Sequence, residues 1–416
     1  RLRCEMNQNL LKKYAALVIR VGVNLQHNQP LVIHAPITCA DFVHALASEA
    51  YDVGAYDVAV NWNDEGFSHI RFQKANEVRF REFPAWRKAF YDGYAAQGAA
   101  FISIAASDPD LYSDIDPKRL TEASRTAGQA LMDYRARLMS NKNTWCVVAV
   151  PTTAWARKVF PDISEGEAVE RLWTEILSAV RVSEHEDAIS TWRTHIDVLQ
   201  KRTAFLNAHA FSELHYQNDL GTDLRIELPK GHVWMGGAEK SATGTLFAAN
   251  LPTEEVYTLP KRNGVNGTVV ASKPLHYNGN LICGFTLTFH EGKVVAYKAE
   301  QGEEHLKELL HTDEGASFLG EVALVPYDSP ISQSGILFYN TLFDENASCH
   351  LAFGKAYPTC IKGGESMTAD ELRQHGVNHS LVHEDFMIGT KDLTVVGRTS
   401  SGASVTIIEH GNFRNH

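Results

Sequence analysis

The chain has 416 residues, 44% of them apolar and 10% aromatic, with a formal charge of −11. Domains usually run to roughly 100 to 200 residues, so the length implies two domains, or one large domain with elaborations, with ample core. No Lys/Arg cluster has the density of a phosphate-backbone footprint, and no apolar run approaches the ~18 residues of a membrane span, which excludes nucleic acid and membrane as partners.

Arg1 to Glu5 precede a candidate initiator, Met6, and are set apart as a cloning remnant or upstream read-through. No charged-then-apolar leader opens the chain. Its six cysteines (Cys4, Cys39, Cys146, Cys283, Cys349, Cys360) show no C-x-x-C spacing. They read as reduced thiols of a cytoplasmic protein.

Helical spacing of apolar residues runs from Leu10 to Val23 and from Asp41 to Tyr51, with a short β-prone run at Leu31 to Ile33 between them. A strand at Asp57 to Trp62 follows. Next come a helix over Glu82 to Gly98, a strand at Ala100 to Ala105, a long helix through Arg119 to Met139 and a strand at Trp145 to Val150. Strands alternating with helices imply an α/β domain with a doubly wound, mostly parallel sheet. After Pro151, helices are expected over Glu165 to Val182 and Asp187 to His209, the second linking two domains.

From Ser212 the texture turns to β. Glu213 to Gln217 and Thr222 to Leu228 flank a turn at Asn218 to Gly221. Further strands are expected at Gly267 to Ala271, Leu281 to His290, Val294 to Lys298, Gly320 to Val325 and Leu393 to Val396. The expected organisation is an N-terminal α/β domain, residues 1–205, and a β-rich α+β C-terminal catalytic domain, residues 206–416.

The densest chemistry lies in His379 to Thr390, HSLVHEDFMIGT. In extended backbone, residues two apart point the same way, so His383 and Asp385 can converge on one divalent ion. Three further residues sit at turn or strand signals among apolar neighbours: Glu255 between two prolines in LPTEEVYTLP, Glu321 at the opening of an apolar strand, and His350 in NASCHLAFGKAY. Each also has a bland reading. Glu255 could be a solvated loop acid and Glu254 its rival; His350 could be a hydrogen-bonded core histidine; His379, four residues before His383, is another rival. His276, His290, His305 and His375 are left as structural or surface groups.

Two histidines and three carboxylates exceed what one ion needs, whereas two ions about 3.5 to 4 Å apart need a bridging carboxylate. Nitrogen and oxygen donors without thiolate suit Zn, Co, Mn or Mg. Other chemistries fail on inspection. In Gly231 to Ser241, Glu239 stands where a phosphate loop needs glycine before its lysine. Ser332 to Gly335 lacks the first glycine of a nucleophile elbow. Cys349 beside His350 suggests a thiol nucleophile, but adjacent residues of a strand point to opposite sides.

The segments LPTEEVYTLP, LGEVALVP, SCHLAFGKAYP and HSLVHEDFMIGT, in this order, resemble the thermophilic metalloaminopeptidases, the family typified by aminopeptidase T, PepS and AmpS. The separations, 66 from Glu255 to Glu321, 29 to His350, 33 to His383 and 2 to Asp385, are similar to that family's ligand spacing. The resemblance covers nearly the whole chain. It implies a dinuclear metal site formed by Glu255, Glu321, His350, His383 and Asp385, with Tyr357 as a phenol donor to the tetrahedral intermediate. It further implies a homodimer enclosing the active sites.

A carboxylate must take and return the proton of the attacking water, and Glu321 ranks ahead of Glu255 for this. A metal or Glu254 would hold the substrate's α-amino group. The expected function is thus a cytoplasmic metal-dependent aminopeptidase acting on short peptides. Its rivals are a dinuclear dipeptidase or amidohydrolase, and a non-catalytic two-lobed small-molecule binding protein with a structural metal. Leu259 and Lys273 to Tyr277 are left without an assigned place in the substrate pocket.

Overall fold

The structure is a computed structural model that describes residues 8–277 and 280–414; Arg1 to Glu5 lie outside them. The chain forms two compact units. One comprises residues up to His195 together with Ala238–Pro252 and Leu337–Leu342; the other comprises Ile196–Gly237, Thr253–Ile336 and Phe343–His416.

The first unit carries strands β1 (Leu31–Pro36), β2 (Val58–Asn63), β3 (Ala100–Ala105) and β4 (Trp145–Ala149). They pair in the order β2-β1-β3-β4, every pair parallel. The order reverses between β1 and β3, the mark of a doubly wound sheet. Leu31, Val32 and Ile33 of central β1 are fully buried, while edge strand β2 is only half-buried.

The helix expected from Arg119 to Met139 is two helices, Pro117–Ala130 and Met132–Met139, parted at Leu131. The first starts early because Asp116 caps it, accepting from Lys118 N–H, with proline at the first helical position. A further helix, Glu65–Lys74, has no buried residue. It lacks the apolar stripe by which sequence periodicity reveals a helix.

The expected boundary after residue 205 falls inside the helix Ala188–His209, whereas the units divide at His195 and interleave later. Two excursions explain the difference. Val147 of β4 donates to Ala249 O (2.8 Å) and accepts from Leu251 N–H (3.0 Å), so Ala238–Pro252 belongs with the first unit. Leu337–Leu342 is held there as well, through Trp155 Nε1–H on Phe338 O (2.6 Å). Such returns leave no mark in local composition.

Among the described residues the second unit carries a two-stranded sheet, Leu275–Tyr277 with Asn280–Ile282, and two large antiparallel sheets. The larger has eight strands, running from Lys293–Lys298 at one edge through Val265–Val270, Glu213–Gln217 and Thr394–Arg398 to Asn412–Phe413 at the other. The smaller has five, in the order His383–Met387, His350–Gly354, Leu319–Leu324, Val256–Thr258, Met235–Gly236. One apolar cluster joins them: Leu214, Tyr216, Leu224 and Ile226 of the first with Val322, Leu324, Leu351, Phe353 and Phe386 of the second. The strand expected over Leu281 to His290 is broken into Asn280–Ile282 and Thr286–His290, because Cys283 between them turns to pair with Gln301. Among the described residues no helix is long and apolar enough to cross a membrane.

Candidate metal centre

Three neighbouring strands of the five-stranded sheet alternate in the same sense. Val322 and Leu324, Leu351 and Phe353, and Phe386 enter the apolar cluster. The residues between them, Glu321, His350, Ala352, His383 and Asp385, must then point to the other face. Register brings them into line. Glu321 pairs with Ala352 and Ala352 with Asp385, forming one row; Ala323 pairs with His350 in the next. Beside Glu321 the strand is irregular at Gly320, where an added Cβ would lie 2.3 Å from Lys355 O, so only glycine permits this approach. Glu255 immediately precedes the strand Val256–Thr258, which pairs with Leu319–Leu324 on its other side.

The five expected ligands converge. His350 Nε2 lies 3.1 Å from Glu255 Oε2 and 3.4 Å from Glu321 Oε1. His383 Nε2 lies 3.6 Å from Glu321 Oε2 and 3.5 Å from Asp385 Oδ1. They fall into two groups able to hold an ion, Glu255/Glu321/His350 and Glu321/His383/Asp385, and Glu321 belongs to both. Its two oxygens are divided between the two histidines.

Both imidazoles are oriented by backbone carbonyls. His350 Nδ1 is 3.1 Å from Ser348 O and His383 Nδ1 is 2.7 Å from Lys355 O. A carbonyl can only accept, so each Nδ1 carries a proton and each Nε2 is turned to the carboxylates, where it takes a proton or a metal ion. Glu255 Oε2 and Asp385 Oδ1 are buried and face the imidazole Nε2 atoms of His350 and His383 at 3.1 and 3.5 Å. Buried carboxylate oxygens set against imidazole nitrogens are costly unless a proton or a metal ion lies between them. The residues present therefore fit a divalent metal.

The electrostatics agree. Burial opposes charge on His350, but the carboxylates of Glu255 and Glu321 outweigh it and hold its pKa well above the usual value. His383 is likewise raised to about 9, burial being overcome by Asp385 and Glu321. Burial, reinforced by Asp385 and Glu255, lifts Glu321 to about 7. Protons are drawn to these groups by the negative potential that would draw a cation.

Tyr357 lies beside His383, the two ring centroids 4.8 Å apart. Burial and then the charges of Glu321 and Asp385 raise its pKa, so the phenol keeps its proton. Cys349 is no nucleophile. Its thiol donates to Val325 O (3.3 Å) and burial pushes its pKa up to about 11. The rival His379 is exposed. Glu254 is buried, and its backbone N–H donates to Asn346 Oδ1 (2.7 Å). The Lys273–Tyr277 segment reaches the edge of the site sheet, for Ser272 N–H donates to Met387 O (2.9 Å).

One residue of the site escaped the sequence reading. Glu345 lies in a single 3-10 turn, Glu345–Ala347, five residues before His350. Its carboxyl is held well above the usual range by burial and then by the charges of Glu255 and Asp385. The only sequence signal was its position directly before NASCHLAFGKAY, the segment that carries His350.

The two groups could hold divalent cations on oxygen and nitrogen ligands. The chain belongs to the thermophilic metalloprotease family M29, whose model matches residues 7–413, and is thus a metal-dependent hydrolase of peptide bonds. It is 50% identical to aminopeptidase 2 of Geobacillus stearothermophilus, over 97% of each chain. It is 48% identical to aminopeptidase AmpS of Bacillus subtilis, over 97% of this chain and 98% of that one. Its fold is similar to that of wild-type AmpT from Thermus thermophilus, with a TM-score of 0.92 and 39% identity, covering 99% of this chain and all of that one. The family resemblance drawn from the four motifs is borne out.

Proposed function

We propose that the chain is an aminopeptidase that removes N-terminal residues from short peptides, using two divalent ions held by Glu255, Glu321, His350, His383 and Asp385. The observation that carries this reading is the membership of Glu321 in two ligand triads, one oxygen toward each histidine. A bridging carboxylate is what a two-ion centre requires. Zn, Co, Mn and Mg all suit the donors.

The ions, when bound, supply a water that ionises near neutral pH and a Lewis acid for the scissile carbonyl. The remaining work belongs to the chain. His350 and His383 are locked in the ligating tautomer by Ser348 O and Lys355 O. Tyr357 keeps a phenolic proton to donate to the oxygen that gains charge as the carbonyl is attacked. Because both oxygens of Glu321 are engaged, we assign it to bridging and leave proton transfer to Glu345, which stands in neither triad. The surrounding carboxylates favour the cationic α-amino group of a free peptide.

Cytoplasmic residence and homodimeric assembly belong to the same reading. The first is supported by the burial of Cys39, Cys146, Cys349 and Cys360, which suits thiols kept reduced; the second rests on family membership. The test is amino-acid release from free and N-acetylated peptides by metal-stripped protein, by protein reloaded with Zn, Co, Mn or Mg, and by His383→Ala. Metal-dependent cleavage of free peptides only, lost in His383→Ala, is expected. Equal activity without metal refutes the metal centre, and equal cleavage of blocked peptides refutes the aminopeptidase assignment.

A further inference from the structure

His383 enters the site from the loop Val377–Val382, and what holds that loop is not a ligand. Asn378 is 1% exposed and every polar group of its side chain is used. Its Nδ2 donates to Gly354 O (2.6 Å) and Gly315 O (2.9 Å), while its Oδ1 accepts from Arg262 Nε (3.1 Å). Arg262 is itself fixed, with its guanidinium 3.8 Å from the Phe318 ring centroid and paired to Glu314 at 2.7 Å. Satisfied on all sides, the amide has one orientation.

Asn378 grips both peptide units that flank Lys355. Its side chain holds the carbonyl of the Gly354–Lys355 peptide, and its own carbonyl accepts the N–H of the Lys355–Ala356 peptide (3.1 Å). The other end of that second peptide is Lys355 O, the acceptor for His383 Nδ1 at 2.7 Å. Lys355 N–H donates to Val382 O (2.7 Å), directly before His383. The approach is tight: Gly354 has φ +89°, and an added Cβ there would lie 2.2 Å from Val382 O. At the far side of the loop, Asp313 accepts from Leu381 N–H (2.6 Å) and Ser380 Oγ (2.8 Å).

We infer that Asn378 is a positioning residue for one half of the metal centre: through Lys355 it sets where His383 Nε2 points, and so governs the affinity of the Glu321/His383/Asp385 triad alone. The histidine of the other triad has no such dependence, because His350 Nδ1 is held by Ser348 O within its own segment. The inference rests on the two-ion reading proposed above. Loss of a hydrogen-bonded partner behind a ligand usually lowers metal affinity about 10- to 100-fold.

The experiment titrates Co2+ into metal-stripped protein, following the visible absorption of the ion and the heat of binding, for wild type, Asn378→Ala and Asp313→Ala. Thermal unfolding of the metal-free forms is recorded alongside. Expected are two ions for wild type and, for Asn378→Ala, one ion bound as before with the other weakened about 10- to 100-fold. Asp313→Ala, which frees the same loop without touching Lys355, is expected to shift the same ion in the same direction by less. If wild type binds two ions and Asn378→Ala binds both as wild type does, or weakens both alike, the inference is overturned. If wild type itself binds fewer than two, the two-ion reading fails first. Should Asn378→Ala not fold, Asp313→Ala decides: a selective shift supports the inference and none overturns it.

Discussion

Glu321 and Asp385 occupy one lateral row of the sheet, two strands apart, and the residue between them is Ala352. Any larger side chain at this position would project into the space that their carboxylates and His383 surround. Ala352→Val should therefore fold and yet fail to hold an ion in the Glu321/His383/Asp385 triad. Overpacking of this kind costs about 1 to 3 kcal/mol. Metal content measured beside thermal unfolding checks this. A variant that folds and keeps its full metal complement would contradict it.

Tyr357→Phe removes a hydroxyl while keeping the ring that packs against His383. Loss of one donor to a developing oxyanion typically lowers kcat about 100- to 1,000-fold. The expected result is a fall of that size with KM and metal content little changed. Retention of kcat would remove Tyr357 from the chemistry and leave it a packing role.

Cys349 offers a negative control. Its thiol is buried and bonded to Val325, with its pKa raised to about 11. Cys349→Ala should lose about 1 kcal/mol of stability and keep its activity. Steady-state assays with denaturant melts test both halves, and abolished turnover in a folded variant would reopen the thiol reading.

Acid sensitivity should originate partly in the first unit. His34 on β1 accepts from Asn61 Nδ2 (3.1 Å) and stacks on Tyr91, and burial followed by the charge of Arg87 lowers its pKa to about 4. The unfolded chain, with a histidine pKa near 6.5, binds a proton that the folded chain refuses, so this contribution is lost as pH falls from about 6.5 toward 4. His34→Phe should flatten the decline in stability between pH 7 and pH 5 by about 2 kcal/mol. Urea melts at the two pH values measure it, and parallel declines in both proteins would contradict it.

Much of this molecule was legible in its sequence because the informative patterns are local. Ala100–Ala105 and Glu213–Gln217 lie at their expected bounds, since turn residues and β-prone runs mark both ends. The spacing of His383 and Asp385 announces a shared face without any knowledge of the partner strand. Legibility ends where pairing at a distance decides. Nothing near Ala352 says that it separates two ligands, for that follows from the registers of three strands. Glu345 has no periodicity to mark it and joins the site through a 3-10 turn. The interleaving of the units depends on Val147 finding Ala249 and Leu251 about a hundred residues later.

Counting bound ions shows whether one glutamate serves two of them. Metal-stripped wild type, Glu255→Gln and Glu321→Gln would be equilibrated with Co2+, and the bound ions per chain counted after gel filtration. Expected are two ions for wild type, one for Glu255→Gln and none held tightly by Glu321→Gln, because only Glu321 belongs to both triads. A single ion in wild type, or a Glu321→Gln variant that still holds one as tightly as Glu255→Gln does, would contradict it.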